Sequence, residues 1–265
     1  MSVFGWGKQF HNCWCDLSDL NPCTVETWNK SFKYPNAEHM PIRLSMQSLE
    51  LILDRNKEFI EIATHDLSLV YTEIGVPHLF IVTDPNGTAI HFIGQTEIID
   101  NARENNVDRG TSFAVECAGI NGISLAMQLQ STVVVQGAQH TMQFFKDWNC
   151  VSSPVCMFDK IYGYIDLSFS TDVDVTFAVP LLKKTIEKLE NKLKKSRQVA
   201  SVLFEHYNLS DREKEVAFGW LQNKSVLQMA HTMGITEGTV RNMLKKVYAK
   251  TGVNDKGQFF MKFLV

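Results

Sequence analysis

Five side chains near the C-terminus have the types and spacing to read a DNA groove: Thr239, Arg241, Asn242, Lys245 and Lys246. Wound as a helix, the segment puts Arg241, Asn242 and Lys245 on one side. Val240, Met243, Leu244 and Val247 recur at i, i+3, i+4 and i+7 on the other, as a buried stripe must. Arg241 can bond a guanine edge bidentately, Asn242 suits adenine, and Lys245 reaches guanine or phosphate. Thr239 and Lys246 flank them as phosphate grips, helped by the helix N-terminus. Charge agrees with a polyanion at this end. Residues 209–265 hold nine Lys/Arg against five Asp/Glu, leaving 17 and 24 of the chain's 26 basic and 29 acidic residues for 1–208. The tail is basic, the rest acidic.

A second group sits mid-chain. His140 either hydrogen-bonds a small polar ligand or is a core histidine satisfied by a carbonyl, and its ordinary pKa lies close to neutrality. Trp148 either stacks on a ligand or anchors the core, and Cys150 lies beside it. Six cysteines are scattered along the chain. Cys13-x-Cys15 with Cys23, near His11, offers metal ligands without a clear fourth. Cys117, Cys150 and Cys156 can meet in a sheet, and a redox switch there would need an exposed thiol of low pKa. A redox- or metal-responsive role for the cysteines is therefore an alternative to a small-molecule role for His140. There is no nucleophile elbow, no His-Glu-x-x-His and no Rossmann fingerprint, so catalysis finds no support, and neither a metal nor a cofactor is expected.

The elements that must position these residues are legible at the C-terminus. Ser210 and Glu213 form a capping box for a helix to about Leu221. Ser225 opens a second helix through Met233, and Gly234 supplies the left-handed residue that ends it. Ile235 plugs the gap between helices, and Thr236 caps a third helix, Glu237 to about Lys250. Helix, glycine turn and helix make a helix-turn-helix. Gly252 and Asn254 punctuate a final helix with Phe259, Phe260 and Phe263 as core.

Upstream, Leu182, Ile186, Leu189, Leu193, Ala200 and Leu203 recur in alternating steps of four and three, with Ser196 in one slot. So narrow a seam suits a connector that dimerises, and it can equally pack against its own domain. Before it, Leu44 to about Gly75 reads as one amphipathic helix. His78–Gly94 is a hairpin around Asp84-Pro85-Asn86-Gly87, Val133–Gln136 is a short strand, and Pro154–Phe158 with Ile161–Phe169 is a second hairpin. Gly119–Leu129 and Ala138–Trp148 read as helices. The expectation is an α+β domain with an antiparallel sheet and flanking helices, joined by a long helix to an all-α helix-turn-helix domain. The boundaries fall at 1–40 (irregular), 41–175, 176–208 (connector) and 209–265.

Composition is that of a folded soluble chain: 45% hydrophobic and 21% charged residues. No apolar run approaches the length of a membrane span, and the N-terminus lacks the basic start and apolar stretch of a signal peptide. A cytoplasmic protein without a membrane partner is expected.

The C-terminal segment resembles the LuxR-type helix-turn-helix. Leu209-Ser210-Asp211-Arg212-Glu213 meets the opening pattern, and Ala230 to Arg241 the central one. Lys250-Thr251-Gly252-Val253 meets the closing pattern in part. Val226-Leu227 depart from it, standing where a polar, often lysine-containing run is usual. Residues 25–175 resemble the GAF sensory domain of acetoin-catabolism-type activators. The carriers are Val25-Glu26-Thr27-Trp28, then Gly119, Asn121, Gly122, Ile123, Ala126, Val133, Val135, Gly137, His140, Trp148, Cys150, Ser152, Pro154, Gly163 and Asp166-Leu167-Ser168. Ile120, Gln139 and Thr141 depart from that pattern.

These resemblances imply a homodimeric, one-component transcription regulator. Its partners would be a double-stranded DNA operator and a small organic effector held near His140, Trp148 and Cys150. The chain lacks the phosphate-binding loop of the ATPase that normally follows this sensor, so its output partner would be ordinary RNA polymerase. A third reading is an adaptor whose GAF-like domain only dimerises.

Overall fold

The computed structural model describes residues 14–32, 40–157 and 160–263. The elements run β1 (Cys15–Asp16), α1 (Pro22–Ser31), α2 (Met46–Arg55), α3 (Lys57–Glu73), β2 (His78–Thr83), β3 (Ala89–Gly94), α4 (Thr96–Glu104), α5 (Val115–Ala118) and α6 (Gly122–Leu129). They continue with β4 (Val133–Gln136), β5 (Trp148–Met157), β6 (Lys160–Ser170), α7 (Ala178–His206), α8 (Asp211–Leu221), α9 (Val226–Met233), α10 (Glu237–Thr251) and α11 (Lys256–Phe263).

Alternation along the strands sorts apolar residues onto two faces of one sheet, ordered β1-β4-β5-β6-β2-β3. Phe80, Val82, Val134, Val151, Val155, Ile165 and Leu167 face α3 and α7. Leu79, Ile81, Val133, Val135 and Tyr164 face the side built by α4, α5 and α6. The first hairpin turns where expected: the Asp84 carboxylate accepts from Asn86 N at 3.0 Å and Thr88 N at 2.8 Å.

The sheet is mixed rather than wholly antiparallel, because β1 pairs parallel with β4 through Cys15–Val133 and Asp16–Val134. That strand and α1 give structure to part of the N-terminal segment read as irregular. The helix expected from Leu44 to Gly75 is two helices. Asn56 interrupts it, its side chain donating to Ile52 O at 2.8 Å and so closing α2. The helix expected over Ala138–Trp148 is replaced by two short 3-10 turns, and Trp148 opens β5. Side chains in this stretch serve as local acceptors: Gln139 takes the Gln136 N–H and Thr141 the Ile120 N–H. Such bonds compete with a helical ladder.

The seam of α7 lies within the chain. Leu182, Ile186, Leu189 and Leu193 are buried in the α3 and sheet core. Without them, apolar positions of β5 and β6 would face water. Ala200 and Phe204, further along the same helix, belong to a different core with Leu209, Ala217, Val247, Phe259 and Phe263. The seam is therefore not free to form a dimer interface. Beside it, Lys192 and Lys188 reach the buried Asp66 carboxylate at 2.7 and 3.4 Å. No helix among the described residues is long and apolar enough to cross a membrane.

Candidate nucleic-acid interface and sensor cavity

Each helix of the C-terminal segment is capped by its own sequence. Ser210 and Glu213 form a reciprocal capping box on α8, Ser225 and Gln228 another on α9, and the Thr236 side chain accepts from Thr239 N on α10. Gly234 ends α9 at φ +64°, a conformation that favours glycine. These stops set the turn between α9 and α10.

The faces of α10 separate as the spacing requires. Val240 and Leu244 are buried and Met243 half-buried against Val216, Met229 and Ala230 among others, while the buried Val247 joins the core with Phe204 and Phe259. Arg241, Asn242, Lys245 and Lys246 are exposed. Two details were not legible in the sequence. Thr239 is half-buried, and its hydroxyl pairs with that of Thr236 at 2.9 Å, so it serves the cap. Arg241 lies 3.3 Å from Glu237 one turn back. Exposed pairs of this kind contribute little, so Arg241 is held near its own helix at small cost to leaving it. Lys250 and Trp220, absent from the sequence-based candidates, fix α10 on α8: Lys250 binds Glu213 at 2.6 Å and Trp220 Nε1 donates to Tyr248 OH at 2.7 Å.

Residues 207–263 match the family described as bacterial regulatory proteins, luxR family. This segment is a LuxR-type helix-turn-helix domain. Over 150 residues, 56% of this chain, the sequence is 27% identical to a signal-transduction and transcriptional-control protein of Clostridium beijerinckii. The chain spans only 24% of that relative's length. A chain of the crystal structure of the E. coli DhaR(N)–DhaL complex superposes with a TM-score of 0.65 at 18% identity, covering 70% of this chain and 64% of that one. That likeness is one of fold.

The LuxR-type domain also touches the sheet body. Gln222 donates to Tyr162 OH at 3.3 Å, and Asn223 donates to Asp54 at the end of α2. Lys256 stands 4.4 Å over the Trp220 ring.

Within the body, His140, Trp148 and Cys150 line one cavity of about 30 Å³, between the sheet and α6. That is room for a few non-hydrogen atoms, since one water needs roughly 10–15 Å³ measured this way. A large organic effector does not fit the cavity as it stands, and only a small one would. Asp166 and Ser168 also line it. They were noted only as part of a motif, yet a carboxylate within the apolar alternation of β6 was a signal. Burial pushes the Asp166 carboxyl up, to about 6, against the hydrogen bonds from Ser152 and Ser168 that favour its ionised form. Burial drives His140 down, to about 4, despite its bond to the Gly137 carbonyl. The imidazole is therefore neutral at physiological pH.

Among the described residues, Cys15, Cys150 and Cys156 are thiols held in the protonated form. Burial, then Asp166, raises the Cys150 thiol well above its ordinary range, and burial followed by Asp19 and Asp16 takes Cys15 up to about 11. Burial, then Glu190, raises Cys156 as well. Thiols so shifted stay protonated and are poor nucleophiles. Among the described residues no three His, Cys, Asp or Glu converge as a metal site. His11 and Cys13 lie outside the described residues.

Proposed function

We propose that this protein is a one-component transcription regulator that binds a double-stranded operator through α10 and takes its input in a GAF-like sheet body. The observation that carries the reading is the division of α10: a buried apolar stripe and an exposed face of Arg241, Asn242, Lys245 and Lys246 within a LuxR-type domain. Arg241 and Asn242 read base edges, Lys245 reads or grips, and Lys246 holds phosphate. Thr239 supports them by shaping the N-terminus of the helix. The protein acts on RNA polymerase as a homodimer. With the α7 seam buried, the dimer contact lies elsewhere on the surface.

Selection from a randomised duplex pool with the full chain tests this. A homodimer should enrich two related half-sites about one helical turn apart. Absence of any enriched sequence would overturn the reading.

The input is a small effector that enters beside His140, Trp148 and Cys150. The small volume of the cavity favours a second reading, an adaptor whose sheet body meets only protein. The raised thiols speak against the redox alternative.

A further inference from the structure

The fully buried polar side chains around the cavity share one property. His140 is 2% exposed, and its Nδ1 lies 3.0 Å from the Gly137 carbonyl, which can only accept. Nδ1 therefore carries the proton and Nε2 keeps a bare lone pair. That Nε2 is buried and has no hydrogen-bond partner, and His140 is one of the residues lining the cavity. Asp166, also 2% exposed, accepts from the hydroxyls of Ser152 and Ser168. With the Ser168 proton committed to Asp166, the Cys150 thiol 3.2 Å away donates to Ser168. Asn121 uses both amide protons on the carbonyls of Phe113 and Gly119. The buried side chains thus present acceptors to the cavity, and their own donors are all engaged.

The helix end nearby does not reverse this. A Cβ on Gly122, the first residue of α6, would sit 2.7 Å from the Asp166 carboxylate, so that carboxylate already lies against the positive end of the helix. A second anion would meet Asp166 in a medium of low dielectric, where like charges repel strongly. A cation would find a carboxylate without a basic partner and the rings of Phe113, Phe144, Phe145 and Trp148 around it. Of the lining residues only Phe144 and Trp148 are not fully buried, so entry is past these two.

From this geometry we infer that the cavity receives a small hydrogen-bond-donating cation, a primary amine, with its ammonium group between His140 Nε2 and Asp166. The inference rests on the effector reading above and gives its ligand a chemical class. Larger amines of the same class would bind once Phe144 and Trp148 swing outward.

Three probes of matched size and different charge test it on the full chain at equal ionic strength: ethanolamine, ethylene glycol and glycolate. Calorimetric titration should rank them in that order, with ethanolamine at least about tenfold tighter than glycolate. Asp166→Asn should bring that ratio to within about twofold. The wild-type protein gives a second measurement if the variant does not fold. Ethanolamine should bind more tightly as pH rises from about 5 to about 7, because the carboxyl ionises there while His140 and Cys150, the other titratable groups facing it, stay neutral. Glycolate equal to or tighter than ethanolamine, or a flat pH response, would overturn the amine class and leave an effector site standing. No binding by any probe, with operator affinity unchanged in their presence, would overturn the effector reading itself.

Discussion

Lys250 near the C-terminal end of α10 donates to the carboxylate of Glu213 at 2.6 Å and to the carbonyl of Asn208 at 2.8 Å. Glu213 also closes the capping box of α8 by accepting from Ser210 N at 2.8 Å. One carboxylate therefore joins the start of the first helix to the end of the third. The exposed Arg241 and Asn242, proposed above to read bases, lie nearer the opposite end of α10, so the joint would set their aim from a distance.

Burial pushes the Glu213 carboxyl up, but the Lys250 bond, with those from Ser210, outweighs it and holds the group below its ordinary range. A depressed acid contributes stability that is present above its unfolded pKa, about 4.3, and is lost as pH falls through the lower folded value. Lys250→Met should cost about 1–3 kcal/mol at neutral pH, because a buried acceptor loses its partner. The difference from wild type should shrink as pH falls through the folded value, down to the part contributed by the pH-independent bond to the Asn208 carbonyl. Urea titrations at neutral pH and below the folded value check both statements.

Arg241→Ala and Lys245→Ala should each lose about 1–3 kcal/mol of discrimination between the selected operator and unrelated DNA. Both residues are exposed, so melting should not change. Mobility shifts with both duplexes give the ratio, and wild-type discrimination in both variants would remove α10 as the reading helix.

Leu227 is 64% exposed at the start of α9, where LuxR-type sequences usually carry polar residues. Leu227→Lys should add one phosphate contact. Affinity should then fall more steeply with salt, the logarithmic slope growing by about 0.9. Fluorescence anisotropy across a salt series would show it, and an unchanged slope would place that helix end away from the phosphates.

Leu189 is fully buried between α3 and the sheet. Leu189→Lys places an unpaired charge there and should destabilise the body by several kcal/mol. The variant should unfold or aggregate. Sedimentation of a well-folded, monomeric variant would mean that the seam faces a partner after all.

The C-terminal helices were readable because each is specified by local chemistry. Ser210–Glu213, Ser225, Gly234 and Thr236 act within a few residues of themselves, so their effect survives without knowledge of the rest of the fold. The sheet body was harder for the opposite reason. Cys15 pairs with Val133 far along the chain, and nothing near either residue announces a parallel neighbour. Thr141 caps Ile120 in the same non-local way, and this turned an expected helix into short turns. His140, Trp148 and Cys150 do share a cavity, but its size depends on how Phe144 and Phe145 pack, which periodicity does not encode. The seam of α7 looked the same for a partner chain as for the chain's own sheet, since both offer apolar surface.

The 29 residues of α7 form one uninterrupted rod gripped by a different core at each end. At the usual rise it is about 44 Å long. The part packed on the sheet ends at Leu193, so the arm beyond it to His206 is about 20 Å, and tilting it by about 5° carries the far end through only about 2 Å. The bonds from Gln222 to Tyr162 and from Asn223 to Asp54 hold the attached domain to the same body, so the helix is a braced strut and not a free lever. A change in the sheet body would therefore reach the LuxR-type domain through those two contacts as well as through α7.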